Sequence, residues 1–92
     1  MIRGRAHVEF RWKEEVIYWE GNDGFIFDGG WGVTPSVTYI PDAATWDAVV
    51  PAWMAGRRSE IVQRLALEPG HVLHETPDYQ PGKWRSITRG AP

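Results

Sequence analysis

The sequence contains no cysteine. That excludes a disulfide framework, a CxxC redox centre, thiolate zinc ligation and a cysteine nucleophile together. It has no apolar run approaching the ~20 residues that cross a bilayer as a helix. Its opening stretch, Met1-Ile2-Arg3-Gly4-Arg5-Ala6-His7, leads into alternating polar and apolar residues instead of the continuous apolar core of a leader. Neither a membrane span nor a secretory leader is expected, and cytoplasmic residence is. A basic excess is also lacking: 10 Lys and Arg stand against 12 Asp and Glu, a formal charge of -2. Nucleic-acid binding needs a cationic face for phosphate, so a dedicated nucleic-acid partner is not expected. What is present is a chain of 92 residues, 42% hydrophobic and 24% charged, the length and composition of one folded domain.

Tryptophan is the abundant residue. Trp12, Trp19, Trp31, Trp46, Trp53 and Trp84 accompany three Tyr and three Phe. Each large aromatic hides on the order of 150–250 Å² when buried. A chain this short buries only roughly 60% of its unfolded surface, so several tryptophans belong to the core and one or two to the surface.

The first half reads as strands. Val8, Phe10 and Trp12 alternate with His7, Glu9 and Arg11, the period of two of a sheet buried on one face. Residues 15–20 are β-branched and aromatic, and Gly21-Asn22-Asp23-Gly24 is a tight-turn signal, since Gly and Asn tolerate positive φ. Residues 25–28 return as a third strand, Gly29-Gly30-Trp31-Gly32 reads as a bend or bulge, and residues 36–40 form a fourth strand. At Pro41-Asp42 the period changes. Asp42 can cap a helix that carries Trp46, Val49, Val50 and Trp53 on one stripe, with Pro51 forcing a joint after about Val49. The principal helix is expected over 56–68, burying Ile61, Val62, Leu65 and Ala66, with Arg57, Glu60, Gln63, Arg64 and Glu68 facing water and Glu60–Arg64 pairing at i,i+4. Residues 71–76 form a last strand.

The expected fold is α+β: a four- to five-stranded, mostly antiparallel sheet with one main helix packed on one face, in the order ββββ-α-β. Its core includes Val8, Phe10, Trp12, Ile17, Phe25, Phe27, Trp46, Ile61, Leu65 and Val72. Residues 1–76 form the single domain. Residues 77–92, with three Pro and two Gly, form a C-terminal tail that Trp84 and Ile87 could dock against the body.

The chemistry-bearing residues do not converge. His71 and Glu75 share one face of a strand while His74 points to the other, short of the three or four ligands of a zinc site. Ser36, Ser59 and Ser86 have no nucleophile-elbow context, and Asp23, Asp28, Asp42 and Asp47 have ordinary roles as turn, strand-edge, cap and first-turn residues. The glycines near Trp31 lack the spacing and the lysine of a phosphate-binding loop. No catalytic residue, no metal ligand and no cofactor is expected.

Charge is unevenly spread. Residues 14–47 hold Glu14, Glu15, Glu20, Asp23, Asp28, Asp42 and Asp47 and not one Lys or Arg. Within this acidic stretch stand Tyr18, Trp19, Trp31 and Tyr39, side chains that anchor interfaces. An acidic face raises the association rate with a basic protein. The hairpin Tyr18-Trp19-Glu20-Gly21…Gly24-Phe25-Ile26-Phe27-Asp28, the Trp46-Asp47 pair and the helix Arg58-Ser59-Glu60-Ile61-Val62-Gln63-Arg64-Leu65 together resemble the small immunity proteins of bacterial polymorphic-toxin systems. That resemblance spans Glu15 to Glu75 and implies a non-enzymatic inhibitor of a protein partner. The expected contact set is Glu14, Glu15, Tyr18, Glu20, Asp23, Asp28 and Trp31. The alternative is a small enzyme or ligand-binding domain with a pocket near residues 29–35, Asp28 and Trp31 lining it. An exposed strand edge or Trp84 would also allow a homodimer.

Overall fold

The computed structural model of the chain describes residues 5–11, 15–30, 36–77 and 84–89. Among them the order is β1 (Ala6–Arg11), β2 (Glu15–Glu20), β3 (Asp23–Gly30), β4 (Ser36–Pro41), α1 (Ala43–Val49), α2 (Arg58–Leu67), β5 (His71–Thr76) and β6 (Arg85–Thr88). The strands make one sheet, β1-β2-β3-β4-β5, with β6 also paired to β3. All pairings are antiparallel except β4–β5. A parallel pair needs a crossover, and α1 and α2 provide it.

The α+β class and the mostly antiparallel sheet agree with the sequence reading. The element order differs in two places. The short helix expected after Asp42 is α1, so the crossover carries two helices where the order ββββ-α-β has one, divided as expected at Pro51 and by the turn at residues 52–56. A sixth strand forms at residues 85–88 within the segment expected as a tail. It pairs with residues 23–26 of β3, while residues 28–30 of β3 pair with β4, so the two strands share one edge of β3.

Local chemistry explains the elements. β2 and β3 are joined by a two-residue turn in which Gly21 has φ 60°, a left-handed conformation that costs glycine little. The Asp42 carboxylate accepts the Thr45 N–H at 2.9 Å and caps α1. Gly29 and Gly30, expected in a bend or bulge, continue β3 in register with Thr38 and Val37. Trp31 and Gly32, also expected there, lie outside the described residues.

The helices cover one face of the sheet, the inner face. There Val16, Tyr18, Phe25, Phe27 and Ile40 from the strands meet Trp46, Met54, Ile61 and Leu65 in the main core. On the outer face Ile17, Trp19 and Ile26 form a smaller buried cluster with Ile87 of β6 packed on it. Residues 16–20 are therefore all buried, on both faces of β2. Three of the expected core residues fare otherwise. Phe10 and Val72 are each 46% exposed because they lie on edge strands, and Trp12 lies outside the described residues.

Candidate functional site

Two groups of charged side chains arise from the alternation along β1 and β2. The first lies between the inner face and α2. Tyr18 and Glu20, two residues apart on β2, both point inward, and both are buried. The Arg57 guanidinium donates from Nη1 to Glu20 Oε1 at 3.0 Å and from Nη2 to Glu20 Oε2 at 2.7 Å. Its Nε and Nη2 also donate to Glu60 Oε1 and Oε2, each at 3.0 Å. The Tyr18 hydroxyl donates to Glu20 Oε2 and accepts from Arg64 Nη1 at 3.0 Å. Arg64 Nη1 also reaches Glu60 Oε2 at 2.8 Å. Trp53 stacks on the Tyr18 ring with centroids 6.2 Å apart and gives its carbonyl to Arg57.

In this cluster two carboxylates face two guanidiniums, and the donors and acceptors are matched. Burial alone would raise the Glu20 pKa. The hydrogen bonds from Arg57 and then from Tyr18 outweigh it and hold the group below its ordinary value. The hydrogen bond from Arg57 leads in lowering Glu60 to about 2. Burial, and then the hydrogen bond to Glu20, pushes Tyr18 up to about 12. Such a cluster keeps Glu20 ionised and Tyr18 protonated through the neutral range. It locks α2 to β2.

The second group lies on the outer face. Glu15 and Asp28 are directly opposed across β2 and β3, an unfavourable juxtaposition of like charges. Arg85 relieves it by donating from Nη2 to Glu15 Oε2 at 2.7 Å. Beside them Glu9 accepts the Trp19 indole N–H at 2.8 Å and pairs with Arg11. The Arg89 guanidinium lies 4.1 Å from the centroid of Trp19 and donates to His7 at 2.8 Å. Carboxylates and guanidiniums thus alternate over the outer apolar cluster.

A cavity of about 350 Å³ opens where β1 and β5 approach each other. Phe10, Glu15, Gly29, Gly30, Ser36 and Gly70 are among its walls. Nearby, His71 Nε2 faces the Leu65 carbonyl at 2.7 Å, so that nitrogen carries the proton, and Nδ1 accepts from the Thr38 hydroxyl. His74 is on the opposite face against Tyr39. Among the described residues no group of His, Asp and Glu is arranged to hold a metal ion. No helix among them is long and apolar enough to cross a membrane.

Of the seven residues expected to contact a partner, Glu15 and Asp28 come together on the outer face. Asp23 stands at the start of β3, opposite Glu20 and Thr88. Tyr18 and Glu20 require a correction: they are 0% and 1% exposed, because their alternation points them under α2. Glu14 and Trp31 lie outside the described residues. Arg57 and Arg64 were expected to face water and instead turn inward, part-buried, to meet the buried Glu20. The spacing Arg57, Glu60, Arg64, at i, i+3 and i+7 beside Ile61 and Leu65, was the signal that could have revealed it. No family model matches the chain, and no curated protein or solved structure matches it.

Proposed function

We propose that the chain is a small, non-enzymatic, cytoplasmic binding protein of the immunity or inhibitor type, engaging a basic protein through the outer face of the sheet. The observation that carries this reading is the opposed carboxylate pair Glu15 and Asp28 on the face that the helices leave uncovered. Arg85 holds Glu15 with a side chain that is itself about half exposed. A partner's lysine or arginine can replace it there, exchanging one solvent-screened ion pair for another and gaining association rate. The inner cluster supports the same reading from the other side, since its charges are spent on each other.

The test is a pull-down from the source cell at low salt with the tagged protein. Retention of one basic protein, lost when Glu15→Lys and Asp28→Lys are combined and increased by Arg85→Gln, is the expected result. Retention indifferent to all three substitutions overturns the surface.

The cavity of about 350 Å³ beside Gly29 and Gly30 favours a second reading, a small-ligand site. A metabolite that raises the Tm of the wild-type protein but not of Ser36→Phe would support it. No such metabolite, with a partner retained in the pull-down, leaves the first reading standing.

A further inference from the structure

A different surface carries an inference of its own. A cavity of about 480 Å³ lies between β1 and the C-terminal half of α2. On one side its wall is four consecutive residues, Arg5, Ala6, His7 and Val8. On the other are Arg64, Leu67 and Glu68, with Tyr18 between the two sides. Consecutive side chains of a strand point to opposite faces, so a cavity that meets all four opens onto the edge of the strand and not onto one face. Among the described residues that edge of β1 pairs with no other strand.

The register says which backbone groups are available there. The Gly21 N–H donates to the Arg5 carbonyl at 3.2 Å, so Arg5 and Gly21 form a hydrogen-bonded pair. In an antiparallel ladder such pairs alternate, which assigns His7, Glu9 and Arg11 to β2. Ala6, Val8 and Phe10 then turn their N–H and C=O groups toward the groove. One large exposed apolar side chain lines it, Leu67 on α2, 83% exposed. The guanidiniums of Arg5 and Arg64 line it against the single carboxylate of Glu68. Arg5 is exposed and makes no ion pair among the described residues.

We propose that this groove accepts an extended segment of a partner protein, alternating apolar and acidic residues, as an added strand on β1. Main-chain hydrogen bonds to Ala6 and Val8 supply the affinity. Leu67 receives an apolar side chain, and Arg5 receives a carboxylate. The site is separate from the outer face, so charge reversal at Glu15 and Asp28 leaves it unaffected.

The experiment uses two fluorescein-labelled hexapeptides, one alternating glutamate with valine and one alternating lysine with valine, titrated into the full chain and followed by anisotropy. The acidic peptide is expected to bind at least tenfold more tightly and to slow hydrogen exchange at the Ala6 and Val8 amides. Val8→Pro removes an N–H that faces the groove while sparing the ladder to β2, and abolishes binding. Arg5→Glu, at an exposed position that leaves folding intact, removes the tenfold preference. Failure of both peptides to bind, equal binding of the two, or binding indifferent to both variants overturns the proposal. So does a concentration-dependent dimer that Val8→Pro dissolves, which would assign the edge to a second copy of the chain.

Discussion

The two faces of the sheet use the same side chains, Glu, Arg and an aromatic, to opposite ends. On the inner face Glu20, Arg57, Glu60, Arg64 and Tyr18 are brought together under α2, and Arg57 grips both carboxylates through two forks. On the outer face Glu15–Arg85 and Glu9–Arg11 sit in solvent contact above a small apolar cluster. A buried ion is costly unless its partners are in place, so Glu20, the fully buried charge of the inner group, depends on Arg57, Tyr18 and Arg64 for its stability. A solvated pair loses little when broken. Residue type alone therefore does not tell a structural charge from an available one; the face on which it lands does.

Glu20→Ala should break this comparison most sharply. It strips Arg57 and the Tyr18 hydroxyl of a buried acceptor, and a loss of about 3 kcal/mol in denaturant unfolding is expected. A value near that of Glu15→Ala would mean that the inner cluster is as well solvated as the outer one.

Next comes Gly24→Ala, which probes the outer cluster by crowding. A Cβ at Gly24 would lie 2.7 and 2.8 Å from Trp19 ring carbons and 3.0 Å from Ile87. The expected cost is about 2 kcal/mol, with a shift of Trp19 fluorescence as the ring moves off Arg89. An unchanged Tm would show that Trp19 yields without resistance.

The smallest effect is the acid dependence. Glu60 is lowered from 4.5 to about 2, so the folded state binds fewer protons than the unfolded one between those values. The stability this contributes is complete above pH 4.5 and is lost as pH falls toward 2. Glu20 adds to it in the same direction. Glu60→Gln should flatten this part of the profile, as measured by denaturant unfolding between pH 5 and pH 2. A profile as steep as that of the wild type would mean that the pairing of Glu60 with Arg57 and Arg64 contributes no stability.

Much of the fold was legible because it is local. The period of two in β1, the β-branched run of β2, the Gly21 turn, the Asp42 cap and the stripe of Ile61 and Leu65 each follow from neighbouring residues. The i,i+4 pair Glu60–Arg64 was legible for the same reason. The sixth strand was not: residues 85–88 are too few to show a period, and they form a strand because β3 offers a free edge beyond the reach of β4. Trp84 is tied in by donating its indole N–H to the Tyr39 carbonyl at 3.0 Å, a bond across 45 residues.

The candidate site divides in the same way. The sequence alone determined the acidity of residues 14–47, the class of the fold and the face that each β2 residue shares with its second neighbour, since charge and alternation are properties of the chain. Only the tertiary structure decided that Glu20 is neutralised from α2 at a distance of 37 residues, and that Glu15 is met by Arg85 from the far end of the chain. Whether a carboxylate is a binding group or part of the scaffold depends on which guanidinium folding brings beside it and on how much water remains between them, and neither is encoded in its neighbours.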